Sequence, residues 1–404
     1  MAFHLGCLRA LDELGILNRA RVLATVSGGS VIGAMYAIHD GSFAEFEERV
    51  RGILKVGFIR PAIMTLLRTS EGLKATVSFM MLLATWLWLV PFRFVATVLS
   101  WFADGGASGQ VGVAPEQWTP RRFASRTTVL RKTFDGLLFG GKLLGELPND
   151  RPRLVVIAAE LRTGSAFYFG KLDAGSWRFG KVDPAQISIA EAVTASAAYP
   201  LFLPALDEYF TFRRRDGSLA TERVTLTDGG VYDNLGLAPL WPDRSPEISI
   251  GVEKLDTIVA CRAGYGLRTV NPSLFVRARM TAAFNTVHAR AQNATMKRLF
   301  DLKEAGRLKT FVLPYLDQDD EDLAYPPPDL VRRSAVAGYP TNFSAMPEEW
   351  IDKLSKRGEQ LTLALIREHA PELLPPDWEA GNTHLSSGIS EPLSASVSGD
   401  HKEP

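Results

Sequence analysis

Apolar residues recur at three-residue steps from the start of the chain. Leu5, Leu8, Leu11 and Leu14, with Ile16 beyond, predict an amphipathic helix over residues 2–16 that Gly15 ends. The apolar run Arg21–Val26 then meets Ser27-Gly28-Gly29-Ser30 and a second helical stretch, VIGAMYAIHD: strand, tight glycine turn, helix. Further along, Arg153–Glu160 (RLVVIAAE) predicts a strand buried on both faces, and Phe167–Phe169 with Trp177–Phe179 a hairpin across Gly170–Gly175. Ile187–Ala198 reads as a helix stopped by Pro200 and Pro204. Arg223–Thr227 is a strand running straight into Asp228-Gly229-Gly230, and Ile248–Val252 is a further buried strand. Residues 273–305 predict a long helix with Met280, Phe284, Val287 and Ala291 on one face. No internal repeat is present.

One stretch stands apart. Residues 51–74 are apolar and basic, and Ala75–Phe102 carries a single charge, Arg93, with Pro91 interrupting it. A helix that crosses a bilayer needs about 20 apolar residues. The stretch reads as a hairpin or helix lying in the membrane interface, as a transmembrane helix, or as a buried helix or lid. Trp86, Trp88 and Trp101 suit an interface. The expected organisation is a hydrolase domain over residues 1–375, carrying a hydrophobic membrane-associating insertion at 52–115, and a disordered tail at 380–404. Residues 103–120 read as a loop.

Charge and cysteine content narrow the classes. Lys+Arg and Asp+Glu number 45 each, so no net field or basic tract draws the chain to nucleic acid. Cys7 and Cys261 form neither a metal spacing nor a disulfide framework. No metal or organic cofactor is expected. The N-terminus lacks the pattern of a signal peptide, and the chain is expected at the membrane, on its cytoplasmic side.

A serine at a sharp strand-to-helix turn has its hydroxyl lifted clear of the sheet, and the helix aims its N-terminal amides at any oxyanion formed there. Ser30 is the expected nucleophile, with Gly28, Gly29 and Val31 shaping its elbow and oxyanion site. Asp228, also at a strand end, is its expected base, on a loop formed with Gly229 and Gly230. Each has a plainer reading: a serine N-cap, or an aspartate closing a turn. A phosphate-binding loop is disfavoured because no Lys follows the glycines. A Ser-His-Asp triad would draw on His288, which sits in a helical pattern without a turn glycine.

These residues resemble a known family. HLGCLRALDELGI, VSGGSVIGA, TASAAYPLFLP and LTDGGVYDNLGL are similar, in the same order, to motifs of bacterial patatin-like phospholipases, over residues 1–45 and 150–255. The resemblance implies a three-layer α/β/α sandwich with a mostly parallel central sheet and a hydrophobic helical insertion. It also implies a serine hydrolase that cleaves acyl esters of membrane lipids through a Ser-Asp dyad without histidine. By that resemblance Ser30 is the nucleophile, Asp228 the base, and Ser196, Pro200 and Pro204 belong to a central block that shapes the site; Asp233 and Asn234 match a further family stretch. Two features depart from the family. The glycine after the serine falls one place late, at Gly33. The family's first strand and glycine-rich oxyanion loop precede the first helix, and Met1 stands where that loop would end. An upstream start is expected, and the alternative is a membrane-bound pseudoenzyme that binds lipid without hydrolysis.

Overall fold

A computed structural model of the chain describes residues 1–103, 124–200, 202–244, 255–264, 275–340, 342–376 and 378. The expected strand Ile248–Val252, the loop after residue 103 and the tail from 380 lie outside the described residues.

Seven strands form the central sheet: β1 (Val22–Val26), β2 (Arg153–Glu160), β3 (Ser165–Gly170), β4 (Ala174–Ser176), β5 (Gly180–Val182), β6 (Leu206–Arg213) and β7 (Leu219–Asp228). β8 (Thr257–Val259) and β9 (Thr310–Val312) form a separate parallel pair. The helices are α1 (Ala2–Glu13), α2 (Ile16–Arg19), α3 (Gly28–Ala37), α4 (Phe43–Val56), α5 (Ile59–Arg68), α6 (Ser70–Ala103), α7 (Arg126–Phe134), α8 (Ile189–Ser196), α9 (Gly230–Asp233), α10 (Val276–Glu304), α11 (Arg333–Val336) and α12 (Glu348–His369).

Successive side chains of a strand point to opposite faces. Leu154, Val156, Ala158, Phe167 and Phe169 enter the main core under the helices, while Val155, Ile157, Ala166 and Tyr168 pack on the other face with Val22 and Val26. Leu237, Leu240, Ile258, Leu299, Leu302 and Phe311 form a further core around β8, β9 and α10. Both faces of the sheet are covered, as the α/β/α reading requires. The pairing differs from the expected mostly parallel sheet. Among the described residues only β1–β2 and β8–β9 are parallel. Helices separate those two pairs in the chain and return it to the same end, whereas β2–β3 and β6–β7 follow one another through short turns that reverse it.

Three local expectations also change. The hairpin partner of β3 is Ala174–Ser176, with Tyr168 opposite Gly175, and Trp177–Phe179 falls in the following turn. Met280 and Val287 on α10 point to solvent, 69% and 68% exposed. Pro91 does not make a hairpin: α6 runs as one helix of 34 residues through it. Among the described residues no helix is long and apolar enough to cross a membrane.

The N-terminal helix is fixed by the C-terminal one. A Cβ on Gly6 would lie 1.7 Å from Ser355 O, and one on Gly358 2.1 Å from Phe3 O. Only glycine at both positions lets α1 and α12 cross backbone to backbone. α1 thereby becomes a fixed wall beside α3, with the His4 ring 3.8 Å from where a Cβ on Gly29 would sit.

Candidate active site

Sheet register brings two distant turns together. On one edge of β2, Val26 at the end of β1 lies opposite Ile157, and Asp228 at the end of β7 lies opposite the next residue, Ala158. The two strands therefore meet end to end on a shared neighbour. The turn that leaves β1 must face the turn that leaves β7. Gly229 makes this possible, since a Cβ there would lie 2.1 Å from Ile157 O.

One residue links β1 to α3, and it is Ser27. Its φ of 53° and ψ of −130° make it the only non-glycine residue with positive φ among the described residues. Such a conformation costs on the order of 1–3 kcal/mol and persists only where the surroundings over-determine it. Three hydrogen bonds do so here. Ser27 N–H donates to Ser196 Oγ at 3.0 Å, and Ser27 Oγ donates to Asp228 Oδ2 at 2.6 Å. Ser27 O accepts from Ser30 N–H at 2.9 Å. Ser27 is partly exposed, and the space over Gly28 is open to 4 Å.

Ser30, the serine expected to face Asp228, does not reach it. It is the third residue of α3 and fully buried, and its Oγ shares a hydrogen bond of 2.8 Å with Ser196 Oγ. Three residues are nearly one helical turn, which carries the side chain from the turn into the core. Val31, expected beside the oxyanion, is likewise buried in the main core. Gly28 and Gly29 do open α3, where the first amides have no acceptor within the helix and so point outward. Gly33 lets α3 pack closely on β1: a Cβ there would stand 2.4 Å from Thr25 Cγ2.

Ser196 ties the two turns to each other. Its hydroxyl holds Ser27 and Ser30, while its carbonyl accepts from Gly229 N–H at 3.1 Å. Ala198 O adds bonds from Asp228 N–H at 3.1 Å and Thr227 Oγ1 at 2.8 Å. The central block at 196–198 is thus the strut between the Ser27 turn and the Asp228 turn.

Asp228 is buried, which disfavours its charged form and lifts its pKa from 3.8 to about 6; the bonds from Ser27 and Gly230 oppose the rise. Near neutral pH it is mostly ionised yet basic enough to take a proton. Tyr199 lies beside it: burial, then the Asp228 charge, raises its phenol pKa. Phe202 stacks on Tyr199, and Phe284 of α10 meets it edge-on, forming an aromatic rim.

His288 lies within hydrogen-bonding reach of the Gly230 backbone, a proximity its position in the sequence did not suggest. Burial and then the Arg262 charge lower its pKa, so it is neutral at pH 7. In a triad the imidazole stands between serine and acid. Here the serine hydroxyl touches the carboxylate directly. Asp233, in the stretch next to the Asp228 turn, is a turn former, accepting from Leu235 N–H at 3.2 Å and Ala238 N–H at 2.6 Å. Among the described residues no group of side chains is arranged to hold a metal ion.

Known proteins show likenesses over the same residues. No curated protein matches the chain. The solved structure of VipD from Legionella pneumophila is similar at 14% identity and a TM-score of 0.35; the match covers 91% of this chain but spans only 65% of that one. The model of the patatin-like phospholipase family matches residues 1–241, which takes in both the Ser27 and the Asp228 turns. The chain belongs to the patatin-like phospholipase family.

Proposed function

We propose that this protein is a lipid acyl hydrolase working through a Ser27–Asp228 dyad and an acyl-serine intermediate. One observation carries the reading: the strained residue between β1 and α3 directs its hydroxyl to a buried carboxylate 2.6 Å away. Family membership supports the substrate class, acyl esters of lipids.

Each step falls to a residue already described. Asp228 Oδ2 takes the Ser27 proton as Oγ attacks the ester carbonyl. The developing oxyanion meets the outward amides of Gly28 and Gly29 at the positive end of α3. The proton passes from Asp228 to the leaving alcohol or lysolipid as the ester C–O bond breaks. Water then gives Asp228 a proton while its oxygen attacks acyl-Ser27; Asp228 returns that proton to Ser27 Oγ as the acyl C–O bond breaks, and the fatty acid leaves. Ser30 has no place in these steps, because it is buried and held by Ser196.

The test is turnover of a soluble short-chain ester by three variants. Ser27→Ala and Asp228→Ala are expected to fall to background, while Ser30→Ala keeps activity within about tenfold. If Ser30→Ala alone is dead with an intact fold, the nucleophile is misassigned. If the unaltered protein has no activity on any acyl ester, the reading falls to a lipid-binding role without hydrolysis.

A further inference from the structure

A helix folding in water turns its bulky apolar side inward. α5 does the reverse. No residue of α5 is buried, and the side it turns toward the protein carries Pro61, Ala62 and Thr65. Ile59, Ile63, Leu66 and Leu67 face outward, Leu67 with 73% of its surface exposed. At 100° per residue these four fall in one stripe about 100° wide. The first part of α6 repeats the inversion. Its buried positions there are Gly72 and Ser78, while Leu73, Phe79 and Trp86 are 72%, 64% and 60% exposed. A Cβ on Gly72 would lie 1.6 Å from Leu66 O, so the two helices touch backbone to backbone and the apolar sides are locked outward.

Charge distinguishes this surface from the rest of the neutral chain. Across residues 57–103, Arg60, Arg68, Lys74 and Arg93 are basic and only Glu71 is acidic. Lys74 bonds Glu71 at 2.9 Å. Arg60 and Arg68 are exposed and form no ion pair among the described residues.

We propose that the α5–α6 elbow docks on an anionic lipid bilayer, lying on the surface without crossing it. The apolar stripe enters the boundary between headgroups and acyl chains, and Arg60 and Arg68 beside it reach lipid phosphates. One helix, α7, links the elbow to the segment that carries the aromatic rim. Thr133 Oγ1 of α7 donates to Thr65 Oγ1 of α5 at 3.2 Å. At its other end α7 bonds the chain through Thr127 to Pro204 O, two residues beyond exposed Phe202 on the aromatic rim. Docking there brings lipid to the rim beside Asp228. The inference extends the hydrolase reading but is measured without it.

The experiment is flotation of the full chain with vesicles of phosphatidylcholine alone or mixed with phosphatidylglycerol. Binding is expected to favour the anionic vesicles. Arg60→Gln and Arg68→Gln should each weaken that binding about fivefold, and the pair about 25-fold. Ile63→Glu with Leu67→Glu should weaken binding to both vesicles at least about tenfold, with soluble-ester turnover unchanged. The proposal is overturned if the unaltered chain floats with neither vesicle, if it shows no anionic preference, or if Ile63→Glu with Leu67→Glu leaves flotation intact. A stable dimer in solution that Ile63→Glu with Leu67→Glu disperses would overturn it too, by assigning the stripe to a second copy.

Discussion

Replacing Asp228 by Asn is expected to destroy activity and, at neutral to alkaline pH, to stabilise the fold. Burial raises the folded-state pKa from 3.8 to about 6. An acid whose pKa is raised by folding loses stability as it ionises. The loss begins as pH rises through the unfolded value near 3.8 and is complete above about 6. Two units at 1.36 kcal/mol each give about 3 kcal/mol. Asn keeps the shape and carries no charge. It can accept from Gly230 N–H and donate to Ser27 Oγ, so most of this energy should return. In chemical denaturation Asp228→Asn should exceed the parent by about 2–3 kcal/mol at pH 8, by about half that at pH 5, and by only about 0.5 kcal/mol at pH 4. Turnover should fall about a hundred- to ten-thousandfold. If the Asn protein is no more stable at pH 8, or the gap does not change with pH, Asp228 is not a carboxylate held ionised against burial.

The same geometry sets other expectations. Turnover of a soluble ester, as kcat/KM, should fall about tenfold per unit below pH 6 as Asp228 takes up a proton; a flat profile down to pH 4.5 would exclude it as base. Ser196→Ala releases Ser27 N–H and Ser30 Oγ together. It should lower kcat about ten- to a hundredfold with KM little changed, a split that stopped-flow and steady-state kinetics resolve. Gly229→Ala drives a Cβ to 2.1 Å from Ile157 O and should lose both stability and activity, whereas Gly28→Ala meets open space and should fold as the parent does in thermal melts. His288→Ala should keep most activity, and its loss in a folded protein would argue for a triad.

Much of the site could be read from sequence because it depends on local pattern. RVLATV before two glycines and RVTLT before Asp228-Gly229-Gly230 mark two strand ends, and strand ends of α/β sheets gather reactive groups. Which serine serves the turn depends instead on where β1 stops. With β1 ending at Val26 and α3 opening at Gly28, a single residue remains between them. That residue takes the strained backbone and the bond to Asp228, whereas the glycine spacing directs attention to Ser30, three positions on. For the proposed nucleophile the sequence does hold a signal, since a strand-turn-helix elbow carries its serine on the sharp turn itself. His288 stands out in the sequence only as a helical residue without a turn glycine, because its approach to Gly230 is made by packing across 58 positions of chain. The sheet was misjudged for a similar reason, since apolar runs such as RLVVIAAE report burial on both faces but not strand direction. The outward turn of α5 and α6 was hidden as well. Their sequence shows an apolar stripe, and only packing reveals which way it faces.

The most direct measurement is the position of a fluorophosphonate adduct. After labelling, proteolysis and fragment-ion sequencing of the peptide that spans Val22–Arg49 should place the phosphonate on Ser27, and Asp228→Asn should suppress it. An adduct on Ser30, or labelling that persists in Ser27→Ala, would contradict the account.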